Sequence, residues 1–186
     1  VLDLCAAPGG KSLTLAQCMQ DKGQLISGEF VPGRVSLLRK AFDRCGVHCA
    51  EALQNDATVP RPAWGTFDRV LCDVPCSGLG VIAKKPDIRC KDLAGMENLL
   101  QTQQKILQNG ADSLAKNGRL VYSTCTVNRD ENERQVQKFL TANPDFTLAA
   151  PPMAYPGAVD TGFGTLFLPH KTHTDGFFVA ILQKNH

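Results

Sequence analysis

Short apolar runs alternate with longer amphipathic stretches through most of the chain. A continuous apolar run between turn residues suits a strand buried on both faces, and apolar positions three and four apart suit a helix lying on it. This pattern predicts strands over residues 1–6, 25–30, 49–53, 67–74 and 119–123, with helices over 11–20, 32–44, 93–114 and 131–140. Pro32 suits a first helical turn. Asp92 is the expected cap of the long helix, with Gly118 just past its end. Asp130, with Glu133 three residues on, resembles a capping box. The tail differs. Residues 149–164 are rich in Pro, Gly and Ala and read as loop. Residues 165–168 and 177–182 read as strands, separated by a segment too long for a two-residue turn.

Alternating strands and helices followed by a strand pair predict an α/β fold. The expected sheet is mostly parallel, with an antiparallel C-terminal edge strand and helices on both faces. Composition narrows this further. A chain of 186 residues, 43% hydrophobic, suits one domain with a sizeable core. A net charge of +2 gives no global basic field, so any nucleic-acid contact must come from a local patch. No apolar run is long enough to span a membrane, and the expectation is a soluble cytoplasmic protein, with a monomer favoured. The 8 cysteines lie in strand-like or helix-like segments, which predicts free thiols in a reducing compartment rather than a disulfide framework. Cys45/Cys49 and Cys72/Cys76 lack a Cys-x-x-Cys or a neighbouring His pair, so no metal is expected. The chain starts at Val1, inside a strand-like run, which suggests a piece of a longer polypeptide.

Three segments carry candidate chemistry. In Asp3-Leu4-Cys5-Ala6-Ala7-Pro8-Gly9-Gly10-Lys11 a strand gives way to small residues and then a helix. Open α/β sheets bind ligands beyond the carboxyl ends of their strands. Small residues allow close approach, and a helix N-terminus favours a carboxylate. The dinucleotide pattern G-x-G-x-x-G is absent. A phosphate-binding P-loop would need Gly where Cys5 stands, and Pro8 removes a backbone donor. Glu29 ends the second strand, where an acid accepts from a ribose diol, and Asp56 follows the third, where it can meet an adenine amino group. This set fits S-adenosylmethionine, with Cys5, Ala6, Ala7, Pro8, Gly9, Gly10, Lys11, Glu29, Asp56 and Asp73 as the expected contacts.

The other two segments are Asp73-Val74-Pro75-Cys76 and Ser123-Thr124-Cys125. Each puts a cysteine just past a predicted strand. Neighbouring strands lie about 4.8 Å apart, so one small ring can touch both thiols. A thiolate adding to carbon 6 of cytosine makes carbon 5 nucleophilic. The carbon-5 proton must then leave and the thiol be expelled, so a base is required. Asp73 is the expected partner of N3 and the exocyclic amine. Either cysteine can be the attacker on these grounds. A nearby cation should lower its pKa, and Lys11 and Lys84 are the candidates.

These motifs together, with Ser77-Gly78 and the tail Asp175-Gly176-Phe177-Phe178-Val179-Ala180, resemble the Sun/Nop family of RNA (cytosine-5)-methyltransferases. The likeness runs in order over nearly the whole chain and is greatest to bacterial Sun-type enzymes acting on small-subunit ribosomal RNA. The resemblance implies a Rossmann-like class I methyltransferase domain over residues 1–186, its N-terminal RNA-binding domain lying outside this chain. It implies S-adenosylmethionine as cofactor, RNA as partner, Cys125 as nucleophile and Cys76 as the residue that assists product release. DNA cytosine methyltransferases instead use a Pro-Cys cysteine, which would nominate Cys76. A transfer-RNA enzyme and a non-catalytic RNA-binding module are the alternatives. The segment holding Lys84, Lys85, Arg89 and Lys91, with only Asp87 opposing them, is the expected RNA contact, balanced against an ordinary solvated loop.

Overall fold

The computed structural model describes residues 1–90, 92 and 94–185. Among the described residues, nine strands form a single sheet: β1 (Leu2–Asp3), β2 (Leu25–Glu29), β3 (Ala50–Gln54), β4 (Phe67–Asp73), β5 (Leu114–Thr124), β6 (Phe146–Leu148), β7 (Val159–Asp160), β8 (Thr165–Phe167) and β9 (Phe177–Lys184). The helices are α1 (Gly10–Cys18), α2 (Pro32–Cys45), α3 (Met96–Asp112), α4 (Glu133–Ala142) and the single-turn α5 (Pro169–Thr172).

The order along the sheet is β3-β2-β1-β4-β5-β9-β8-β7, with β6 pairing to β9. The first five strands are parallel, and β9 runs antiparallel to β5. Parallel neighbours need crossovers, and right-handed ones put α1 and α2 on one face and α3 on the other. The hydrophobic core divides accordingly. Val35, Leu38 and Phe42 of α2 pack with Ala6 and Ala52. Ile106 and Leu107 of α3 and Val136 and Phe139 of α4 pack with Leu2, Val70, Leu120 and Tyr122. Chain order reverses direction between β1 and β4, so a crevice opens at their carboxyl ends.

The structure differs from expectation in several places. The antiparallel part is wider than one edge strand, because β8 and β7 extend it beyond β9. Two short strands, β6 and β7, escape local pattern, the second lying inside the expected 149–164 loop. β5 begins at Leu114, so Gly118 lies within a strand rather than past a helix. The pairing jumps from Phe67 opposite Leu114 to Arg69 opposite Arg119, and Asn117 takes φ 59° in the bulge between. Asp92 does not cap α3. Gly95 is its N-cap, and Asp92 Oδ1 accepts from the Ala94 N–H. Leu93 lies outside the described residues. The expected Asp130 capping box is also absent: α4 starts at Glu133 from Asn132, and Asp130 pairs with Arg134 instead. No helix among the described residues is long and apolar enough to cross a membrane.

Candidate active site

The glycine loop leaves β1 beside the buried carboxyl of Asp3. Ser12 Oγ donates to Asp3 Oδ2 at 2.7 Å and the Cys5 N–H to Oδ1 at 3.3 Å. Burial, first, pushes the Asp3 carboxyl up to about 6. Cys5 is itself raised, again by burial first, and then by the Asp3 charge. Gly9, at φ 114°, turns the chain into α1 and stands at its N-cap with no side-chain cap. The first-turn N–H groups are therefore left for an anionic ligand. Arg34 braces the loop by donating to the Ala7 carbonyl at 3.1 Å.

Glu29 ends β2 and is buried. The Val31 N–H at 2.9 Å and Arg34 Nη1 at 3.5 Å both engage Oε1. Among the described residues, Oε2 is left to a ligand. Asp56 follows β3 with its Oδ1 held by the Thr58 hydroxyl and N–H, which lower its pKa. An uncapped helix end, a half-engaged buried carboxylate and a second carboxylate on successive strand ends suit an amino-acid carboxylate, a ribose diol and an adenine amine. The donor set thus fits S-adenosylmethionine.

Asp73 ends β4 directly opposite Ser123 of β5. Both its oxygens already have donors, Lys11 Nζ at 2.8 Å and Ser123 Oγ at 2.7 Å. Lys11 Nζ also stands 5.1 Å from the Phe177 ring centroid. The paired strand ends carry the two cysteines together: Cys76 Sγ and Cys125 Sγ are 3.0 Å apart. Their pKa values separate. The hydrogen bond from Cys76 brings the Cys125 thiol down to about 7, against a smaller opposing effect of burial. The same bond, with burial, raises Cys76. The contact thus favours the thiolate on Cys125 and the thiol on Cys76. Lys11 adds a small lowering effect on Cys125. Lys84 is held in an ion pair with Asp175 at 2.6 Å.

A cavity of about 460 Å³ opens beside the sulfurs, lined by Cys76, Cys125, Ser77, Val81, Lys85 and Ile88, among others. Of the expected RNA contacts, Lys84, Lys85 and Arg89 are exposed around it or on the following turn, and Lys91 lies outside the described residues. Another cavity, of about 440 Å³, lies under residues 148–155 and touches none of the expected site residues. Among the described residues no cluster of three or more His, Cys, Asp or Glu could hold a metal ion.

Several contributors escape sequence reasoning. Gly80 is pinched between Cys125, whose carbonyl accepts its N–H at 3.0 Å, and Gly176, whose N–H donates to its carbonyl at 2.8 Å. Glu131, Gln103, Ser77 and Thr126 form a buried hydrogen-bonded group behind the sulfurs. Arg34 reads in the sequence only as a helix-surface cation. The polar string from Asn128 to Glu133 gives the one available signal for Glu131, and there it resembles a helix start.

A family model described as 16S rRNA methyltransferase RsmB/F matches residues 1–183. The chain is 39% identical over 191 residues to a Synechocystis protein named probable ribosomal RNA small subunit methyltransferase B, covering 99% of this chain and 43% of that protein. It is 36% identical to ribosomal RNA small subunit methyltransferase F of Cronobacter sakazakii, with 99% and 40% covered. The crystal structure of NSun6 from Pyrococcus horikoshii with SFG superposes at TM-score 0.89 and 31% identity, over 100% of this chain and 47% of that one. The chain thus spans less than half the length of these relatives. TrmN from Thermus thermophilus, at 18% identity and TM-score 0.65, shares the fold. With the family model running from the first strand into the last, and both cysteine motifs in register on adjacent strand ends, the chain belongs to the 16S rRNA methyltransferase RsmB/F family.

Proposed function

We propose that residues 1–186 form the catalytic domain of an S-adenosylmethionine-dependent enzyme. It methylates carbon 5 of a cytosine in small-subunit ribosomal RNA through a covalent adduct with Cys125. The observation that carries this reading is the 3.0 Å contact between two sulfurs of unequal pKa at the mouth of one cavity. When bound, S-adenosylmethionine supplies an electrophilic methyl group. Glu29 and Asp56 would hold its ribose and adenine, and the loop from Cys5 to Gly10 with the α1 N-terminus its carboxylate.

Cys125, the sulfur with the lowered pKa, adds to carbon 6 and leaves carbon 5 nucleophilic. Asp73, steadied by Lys11 and Ser123, accepts from the exocyclic amine. Cys76 keeps its proton in the free protein because the Cys125 sulfur accepts it. In the adduct Cys125 is a neutral thioether, so the largest cause raising Cys76 is gone. Cys76 can then give its proton to solvent and, as a thiolate, take the carbon-5 proton while the bond from carbon 6 to sulfur breaks and Cys125 leaves as a thiolate. Lys85 and Arg89 would meet phosphates around a base turned into the cavity. The ribosomal target comes from the names of the relatives, and the protein is read as a monomer.

The test uses full-length protein, small-subunit ribosomal RNA and labelled cofactor on denaturing gels. Cys76→Ala should accumulate a covalent protein–RNA adduct. Cys125→Ala should form none and lose at least about 10³-fold in methyl transfer. An adduct only in Cys125→Ala would give the nucleophile role to Cys76. No adduct in either, with cofactor still bound, would mark an RNA-binding module.

A further inference from the structure

Glu131 is wholly buried between β5 and α4, and it touches neither sulfur. Its carboxylate gathers four donors: the Ser77 N–H at 2.8 Å, the Ser77 hydroxyl at 2.5 Å, Gln103 Nε2 at 3.0 Å and Asn128 Nδ2 at 3.2 Å. A buried carboxylate needs such compensation. Here every donor belongs to a segment that carries or braces a cysteine. Ser77 follows Cys76, and its hydroxyl also meets Thr126 Oγ1 at 2.8 Å, the residue after Cys125. Gln103, on α3, donates as well to the carbonyl of Pro75, just before Cys76, at 2.9 Å. The Asn128 N–H donates to Thr126 Oγ1 at 3.2 Å. From behind, the buried Tyr122 hydroxyl donates to the Glu131 carbonyl at 2.7 Å. The next residue, Asn132, accepts from Thr124 Oγ1 at 2.6 Å and donates to the Thr126 carbonyl at 3.0 Å.

Residues on both sides of both cysteines therefore end on Glu131 or its neighbour. We propose that Glu131 is a positioning residue. It locks the two cysteine loops to each other so that the Cys76 thiol stays in contact with the Cys125 sulfur. The proposal rests on the reading of Cys125 as nucleophile. Contact with Cys76 is the largest influence on Cys125. The other charged groups acting on it are Asp73 from β4 and Lys11 from α1. Lys85, Asp87 and Cys90 face it across the cavity. None of these is bonded to Glu131, so loosening the clamp should change the thiol contact and leave that field in place.

Glu131→Gln keeps the side chain's size but turns an amide N–H₂ toward donors. In full-length protein, alkylation of Cys125 by iodoacetamide is followed from about pH 5.5 to 9.5 by peptide mass spectrometry. Melting and S-adenosylmethionine binding are measured alongside. The wild-type midpoint should lie near 7 and the variant's about one unit or more higher. Methylation at pH 7 should fall roughly tenfold and recover near pH 9, with cofactor affinity within about twofold. A purely structural defect would not recover with pH. An unmoved midpoint overturns the proposal, as does lost methylation without pH recovery. If Glu131→Gln does not fold, Ser77→Ala is read in the same way. The trapped-adduct experiment separates the two failures. An adduct on Cys125 with an unmoved midpoint sinks the clamp alone, and an adduct on Cys76 sinks the nucleophile assignment beneath it.

Discussion

Asp3 and Glu131 are both wholly buried carboxyls behind a strand end, yet their surroundings differ in kind. Asp3 takes its donors from Cys5 and Ser12, two and nine residues along the chain. Glu131 takes donors from Ser77 and Gln103, 54 and 28 residues away, and from Asn128 nearby. The glycine loop is thus a nearly self-contained strand–turn–helix. The cysteine corner exists only once β4, β5, α3 and the tail before β9 have come together. A local element can be altered locally. A corner tied from four directions should pass any disturbance to both sulfurs at once.

The sharpest test of that contrast is Gly80→Ala. A Cβ there would lie 2.0 Å from the Gly176 carbonyl oxygen and 2.8 Å from that of Cys125. Both obstacles are backbone, so no side chain can swing aside. The expected cost is about 4 kcal/mol in urea unfolding. Whatever folds should have lost the low alkylation midpoint of Cys125. Near-wild-type stability, or a lost clamp without lost stability, would mean that the three segments are less tightly joined than their hydrogen bonds indicate.

The same contrast explains what could be read from residues alone. β1, the glycine turn, α1 and the acid at the end of β2 follow from neighbouring positions, and the structure puts Glu29 and Lys11 at the crevice. The convergence of Cys76 and Cys125 follows from two apolar runs becoming adjacent parallel strands, a step the alternating pattern supports. Glu131 was not readable in this way. Its partners lie on other elements, and three acids in a polar string before an amphipathic stretch look like a helix start. The helix in fact begins two residues later, because the side chains of Glu131 and Asn132 turn inward to the site, so that Asn132 stands at the N-cap without a side-chain cap bond. Gly80 and Gly176 are equally silent, since a close approach between distant backbones leaves no local pattern.

A second test concerns the local side. Burial raises the Asp3 carboxyl from its ordinary 3.8 to about 6. Below about pH 4 it is protonated in both folded and unfolded chains. Between about 4 and 6 the unfolded chain gives up its proton first, so stability falls as pH rises and levels off above 6. The whole loss is roughly 3 kcal/mol. Asp3→Asn should remove that slope. Urea unfolding at about pH 4 and pH 7 should show the variant gaining on the wild type by roughly this amount as pH rises, with the Cys125 alkylation profile unmoved. Parallel stability curves would mean that Ser12 and Cys5 hold the carboxylate better than burial disfavours it.

The smallest effect is expected from Gly9→Ala, the counterpart of Gly80→Ala. Gly9 sits at φ 114°, a conformation that costs a side-chain-bearing residue about 1–3 kcal/mol. Its Cβ would come within 2.9 Å of Leu38 Cδ2, the tip of a buried side chain on α2, which must shift to make room. Strain and that shift together should cost about 2 kcal/mol in urea unfolding. Because the loop answers mainly to its own neighbours, the damage should stop there. Cofactor binding, for which we propose the turn and the α1 N-terminus, should weaken, while Cys125 keeps its alkylation midpoint near 7. The two alanines then separate the halves of the site, one acting on cofactor alone and the other on the thiol pair. If Gly9→Ala shifted the thiol midpoint as far as Gly80→Ala does, Lys11, which opens α1 and pairs with Asp73, would have to transmit it. The glycine loop and the cysteine corner would then be one cooperative unit rather than two.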